Sequence, residues 1–187
     1  DTDPTFDPNF VCDIMDFDYT QFDSFDYIHA SPPCTEYSIL QTSYYGRKRT
    51  VNGVLTDFTP AVHEAQLVNS DRLVLRALEI IEHFRPKCWT IENPCVPGWK
   101  FSLINREFMK DLNYTICNYC MYNNHGTRKK PTVFFNNFGL ELLKCGGGHK
   151  HGVWHEVPKS DGLSKLHTRY VIPPLLCAEI ADQVGLV

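Results

Sequence analysis

The sequence lacks any apolar run of membrane length, any signal-peptide pattern, any internal repeat and any low-complexity linker. These absences argue against a helical membrane span and leave one domain over 1–187 as the expected organisation. Lys and Arg are absent from residues 1–30, which hold eight Asp (1, 3, 7, 13, 16, 18, 23, 26). With a net charge of −4, no global basic field marks the chain as a nucleic-acid binder. What cysteine lacks here is regularity rather than number. Eight residues, at 12, 34, 88, 95, 117, 120, 145 and 177, follow no disulfide-framework spacing, so a reducing, intracellular setting is expected. The chain also opens without Met, on Asp1-Thr2-Asp3-Pro4, and reads as a fragment or a processed product.

Composition is that of an ordinary globular domain, 43% hydrophobic and 21% charged. Basic residues gather locally at Arg47-Lys48-Arg49 and Arg128-Lys129-Lys130, where they can meet phosphates. Asp26-Tyr27-Ile28-His29-Ala30 is a short apolar run stopped by Ser31-Pro32-Pro33, which predicts a buried strand. Residues 41–66 read as a long, partly basic loop. Asn69-Ser70 offers an N-cap for a helix over Asp71 to Phe84, in which Leu73, Ala77, Ile80, Ile81 and Phe84 recur at helical spacing. Pro86 closes that helix and a second buried strand follows over 87–91. Helix, short loop, buried strand is the rhythm of a mostly parallel α/β sheet. Tyr114 to Tyr122 and Pro131 to Asn136 predict a hairpin-like strand pair. Residues 144–164 read as irregular, and Pro173-Pro174 opens a closing helix that runs to Ile180.

Two segments carry the chemistry: Ser31-Pro32-Pro33-Cys34 and Lys87-Cys88-Trp89-Thr90-Ile91-Glu92-Asn93-Pro94. A cysteine after Pro-Pro is held at a strand end, where its thiolate can act as a nucleophile. A glutamate closing an apolar strand is held at the carboxyl edge of the sheet, where α/β folds place their chemistry. Methylation of cytosine at C5 needs such a pair, a thiolate to attack C6 and a carboxyl to hold and protonate N3.

The ordered set of Pro32-Pro33-Cys34-Thr35-Glu36-Tyr37-Ser38, Asp71-Arg72, Arg85-Pro86-Lys87 and Glu92-Asn93 resembles the C5-cytosine DNA methyltransferases, above all compact members of the phage and large-virus type. The resemblance implies a Rossmann-like S-adenosylmethionine-dependent methyltransferase fold, with DNA as partner and, for a viral member, host cytoplasm or nucleus as location. It implies Cys34 as nucleophile, Glu92 as the N3-binding carboxylate and Arg128 as a contact to base O2 or phosphate. For S-adenosylmethionine it implies Asp13, beside Ile14, on the adenine amine and Asp1 on the ribose hydroxyls, with Pro32 bordering the cofactor. Pro94 departs from the apolar residue usual after Glu-Asn. The family's first strand and Gly-containing turn have no counterpart in these residues. A truncated record, a second segment or chain supplying that strand, and loss of cofactor binding all remain open.

Residues 137–166 occupy the place of a short recognition or insert region. No metal site is assigned. Cys117-Asn118-Tyr119-Cys120 falls in an expected strand, where its two thiols would point to opposite faces, and His149, His151 and His155 beside Cys145 fit a flexible recognition loop. Two other functions stand beside the C5 reading: an exocyclic-amine DNA methyltransferase using Ser31-Pro32-Pro33, and a non-catalytic nucleic-acid-binding or partner subunit.

Overall fold

The structure, a computed structural model, describes residues 1–122, 129–151 and 171–186. Its central element is a four-stranded sheet of β1 (Tyr27–Ala30), β4 (Cys88–Pro94), β5 (Tyr114–Asn118) and β6 (Pro131–Asn136), in the order β1-β4-β6-β5. Strands β2 (Lys48–Val51) and β3 (Val54–Asp57) form a separate antiparallel hairpin. Among the described residues two α-helices accompany the sheets, α1 (Pro60–Phe84) and α2 (Pro174–Gln183).

The sequence pattern explains α1 once its true start is recognised. Thr59 caps it, accepting from Val62 N at 3.2 Å, and Pro60 occupies the first turn, where a missing N–H costs nothing. His63, Leu67, Asp71, Val74, Ala77 and Ile81 are buried at spacings of three and four, the stripe of an amphipathic helix. Asn69 and Ser70 therefore lie within the helix and do not cap it. Arg85 ends it in the left-handed conformation at φ 45°, followed by Pro86.

The expected loop over 41–66 is corrected in the same region. It contains the β2–β3 hairpin, closed by Asn52 (φ 50°) and Gly53 (φ 80°), the Asn-Gly pair that a tight hairpin turn with two positive φ values demands.

The sheet is mixed, which corrects the expectation of a mostly parallel one. Only β1 and β4 pair in parallel, with Ala30 opposite Ile91; β6 pairs antiparallel with both β4 and β5. The reason is local: β6 inserts between β4 and its hairpin neighbour β5, so it alone runs against the other three. The β5–β6 pairing itself follows the sequence reading, but β5 stops at Asn118, where the chain enters a 3-10 turn over Tyr119–Met121.

Alternation along β6 divides the core. Val133 and Phe135 pack with Leu67, Val74, Ile81 and Ile91 on the α1 side. Phe134 packs with Cys117, Leu140, Leu176 and Ile180 on the α2 side. A sheet covered by helices on both faces is an α/β architecture, and it explains why β4 is buried along most of its length. Truncating Phe134, which is fully buried, to Ala would cost about 3–5 kcal/mol. Among the described residues no helix is long and apolar enough to cross a membrane.

Candidate active site

The parallel register decides where the two motifs meet. With Ala30 opposite Ile91, β1 and β4 leave the sheet at the same end, delivering Ser31 and Glu92 side by side. Asn93 Nδ2 then donates to Pro32 O at 3.0 Å, tying the Pro-Pro turn to β4. Cys34 is half-buried just beyond, and its carbonyl accepts from Tyr37 N at 3.2 Å.

Tyr37 anchors this turn from below. Its buried hydroxyl donates to Asp71 Oδ1 at 3.0 Å, and Arg106 grips both oxygens of Asp71, at 3.1 Å through Nε and 2.5 Å through its terminal nitrogen. Asp71 thus earns its place in the middle of α1, as a fixed point linking that helix to the Cys34 turn. Glu36, two residues after Cys34, is held through its carbonyl by His63 Nε2 at 2.7 Å.

Glu92 is 6% exposed, and burial pushes its carboxyl above the usual carboxylate range. The Lys130 charge and hydrogen bonds from Tyr119 and Ser31 pull it back down. Tyr119 donates at 2.9 Å to Glu92 Oε1 and is itself driven well above the ordinary phenol range by burial and by that carboxylate, so it remains a donor. Lys130 Nζ lies 4.4 Å from the centre of the Tyr119 ring. The Cys34 thiol is raised first by burial and then by the Glu92 charge, while Lys130 lowers it. These mutual influences place Cys34, Glu92 and Lys130 in one electrostatic neighbourhood. A low-dielectric pocket with a cation, a raised carboxyl and a thiol can deprotonate one group and protonate another without large reorganisation.

Antiparallel pairing supplies the third side of the site. Glu92 is opposite Phe134, Pro94 opposite Thr132, and Cys95 N donates to Pro131 O at 2.9 Å, so β6 begins at the edge where β4 ends. Tyr119 N donates to Lys130 O at 3.3 Å across the neighbouring pair. Sequence reasoning missed Tyr119 and Lys130 as partners of Glu92. Only the β5–β6 register could have found them.

Of the remaining expected residues, Arg128 and His155 lie outside the described residues, as does the 152–166 half of 137–166. Asp1, Asp13 and Ile14 sit in the N-terminal segment. Cys12 N donates to Asp1 O at 3.1 Å, which brings Asp1 and Asp13 into the same patch. Asp1 Oδ1 accepts from Asp3 N and Asp13 Oδ1 from Met15 N, both at 2.9 Å. Arg76 of α1 holds this segment through Ile14 O at 3.2 Å and Phe17 O at 3.1 Å. Two exposed carboxylates on an anchored segment suit the diol and amine of an adenosine moiety, so the residues present fit the adenosine half of S-adenosylmethionine.

No protein-family profile matches the chain. It is 28% identical over 194 residues to a protein of Frog virus 3 (isolate Goorha) described as a probable DNA (cytosine-5)-methyltransferase. That alignment covers 94% of this chain and 85% of the viral protein, and so takes in both strand-end motifs. The chain is a distant homologue of a viral probable DNA cytosine-5 methyltransferase.

Proposed function

We propose that this chain is a DNA (cytosine-5)-methyltransferase acting on a flipped cytosine, with Cys34 as nucleophile and Glu92 as the N3 acid. The observation that carries the reading is the Ala30–Ile91 parallel register, which brings the Cys34 turn and Glu92 to one end of the sheet. Cys34, once its thiol proton has left, forms a bond to C6. The C5=C6 electrons then shift toward C4 and those of C4=N3 onto N3, which takes the Glu92 proton. Burial raises the affinity of Glu92 for a proton, which favours its part as the N3 donor. S-adenosylmethionine supplies an electrophilic methyl group for C5. Loss of the C5 proton to solvent water re-forms C5=C6 and releases Cys34 as thiolate, and the N3 proton returns to Glu92. Asp13 and Asp1 would hold the adenosine half, with Ile14 and Pro32 bordering it.

The sheet, with three strands in one direction and helices on both faces, is compatible with a Rossmann-like methyltransferase fold. Strand β1 is an edge of the described sheet, so a further strand, from this polypeptide or a second one, could pair there. Arg47 and Lys48, exposed at the β2–β3 hairpin, would meet the DNA backbone, with Arg128 a further expected contact.

The test is a covalent trap. DNA carrying 5-fluorocytosine, which has no C5 proton to lose, should accumulate a protein–DNA adduct that survives denaturation, and Cys34→Ser should form none. Methylation of an exocyclic amine without an adduct would transfer the role to the Ser31-Pro32-Pro33 reading. Binding with neither outcome would leave a non-catalytic DNA-binding subunit.

A further inference from the structure

Beside the Cys34–Glu92 site, four side chains converge without any role in the chemistry above. Cys120, Cys145, His149 and His151 each offer one ligand atom, and those atoms all lie within 4.8 Å of one another. Cys145 Sγ is 3.3 Å from His151 Nε2 and 3.9 Å from His149 Nε2. A tetrahedral zinc with the usual Zn–S and Zn–N lengths sets its ligand atoms about 3.3–3.8 Å apart, so small adjustments close the site.

Each part of the backbone contributes to this convergence. The 3-10 turn over Tyr119–Met121 ends the strand alternation, so Cys117 enters the α2-side core while Cys120 turns toward Cys145. Asn118 fixes the opposite branch: its Oδ1 accepts from Cys145 N at 2.8 Å and its N donates to Leu143 O at 3.2 Å. Gly147 and Gly148, both at φ 89°, let the chain reverse within Cys145-Gly146-Gly147-Gly148-His149. The reversal returns both imidazoles to Cys145, with His149 and His151 ring centres 4.6 Å apart. A chance cluster would not be expected to combine a pinned thiol, a glycine reversal and two returning imidazoles.

We infer that Cys120, Cys145, His149 and His151 form a structural Zn²⁺ site that clips the segment after β6 to the turn after β5. Two thiolates and two imidazoles are a borderline-soft donor set, suited to zinc and unsuited to calcium or magnesium. Four protein ligands leave no open position, so the metal holds structure and does not react. The clip has a consequence for the neighbouring site, because Cys120 directly follows Tyr119, the donor to Glu92.

The experiment is metal analysis of the full chain, purified under reducing conditions, by mass spectrometry, without reference to methyl transfer. About one zinc per chain is expected. Replacement by Co²⁺ should give the visible bands of a tetrahedral site together with thiolate-to-cobalt charge transfer. Cys145→Ser and His151→Ala should each lower retained zinc at least tenfold, whereas Cys177→Ser, on the exposed side of α2, should leave it unchanged. His149→Cys guards against simple misfolding: it keeps a ligand, so it should retain metal and strengthen the charge-transfer band. A reduced, folded chain that neither retains zinc nor binds cobalt would overturn the inference. So would unchanged metal in Cys145→Ser, or a Cys120–Cys145 disulfide recovered in place of the metal.

Discussion

The Tyr119 hydroxyl donates to Glu92 Oε1 at 2.9 Å, joining the end of β5 to the end of β4 across the inserted strand β6. A donor aimed at a buried carboxylate favours its charged form and so lowers its proton affinity. Tyr119→Phe removes that donor and leaves the Lys130 charge and Ser31 to offset burial. The Glu92 midpoint should therefore move to higher pH, at a stability cost of about 1.5–3 kcal/mol for a hydrogen bond to a charged group. Infrared or carbon-13 titration of the carboxyl in both proteins measures the shift, and an unchanged midpoint would remove Tyr119 as its partner.

Glu92 also makes the fold sensitive to pH in a definite direction. Its folded proton affinity is raised, chiefly by burial, so the folded state binds a proton more tightly than the unfolded state. The stabilisation linked to that proton is fully present below the unfolded value of about 4.3 and is lost as pH rises through the folded value. Glu92→Gln keeps an acceptor for Tyr119 and removes the buried charge. The variant should melt above the wild type at neutral pH, with the gap closing toward about pH 4. Thermal unfolding of both proteins across that range is the measurement. An equal gap at all pH values would mean that Glu92 binds its proton equally well in the folded and unfolded states.

Cys34 and Glu92 should report on each other. Burial and the Glu92 charge both raise the thiol, so Cys34 should react slowly with iodoacetamide at neutral pH and faster as pH rises. Glu92→Gln deletes one of those causes. It should speed Cys34 alkylation while slowing methyl transfer by roughly 10²-fold or more, the scale of a lost general acid. Peptide mass spectrometry separates Cys34 from the other thiols. A variant slowed in both reactions would point to a displaced Cys34 turn instead.

The candidate site was more legible in the sequence than the fold around it. Proline punctuation and the apolar run into Glu92 located both strands, because those signals are local, although β4 runs on to Pro94 rather than ending at Ile91. The β2–β3 hairpin was hidden although Asn52-Gly53 is a strong turn signal, since Arg47-Lys48-Arg49 made the region read as a solvated loop. The start of α1 was misplaced because Asn69-Ser70 looks like a cap, whereas Thr59-Pro60 caps it and Asp71 is satisfied by Tyr37 and Arg106. Partners such as Tyr119 for Glu92, 27 residues apart, depend on strand register and carry no local signature.

The Tyr37–Asp71–Arg106 network should control the Cys34 turn without touching substrate. Tyr37→Phe removes one buried donor and should cost about 1 kcal/mol, while Arg106→Ala leaves Asp71 only partly compensated and should cost about 2–3 kcal/mol. Tyr37→Phe should also slow adduct formation with 5-fluorocytosine DNA more than it weakens DNA binding, because its connection is to Cys34 through the turn. Chemical denaturation and trapping rates test the two effects separately. Equal losses in binding and trapping would place Tyr37 in the DNA interface.

The β2–β3 hairpin separates structural from DNA-facing cations. Arg49 is half-buried, donates to Gln41 Oε1 at 2.6 Å and lies 4.9 Å from the centre of the Phe58 ring, so its job is to hold the hairpin. Arg47 and Lys48 are exposed beside it. If they contact phosphates, Arg47→Ala and Lys48→Ala should each weaken DNA binding about equally for all sequences and reduce the slope of log affinity against log salt by about 1. Arg49→Ala should instead lower thermal stability and leave that slope nearly unchanged. Salt titrations of binding by the three variants decide the matter. A slope that survives loss of both Arg47 and Lys48 would move the DNA-binding face away from this hairpin.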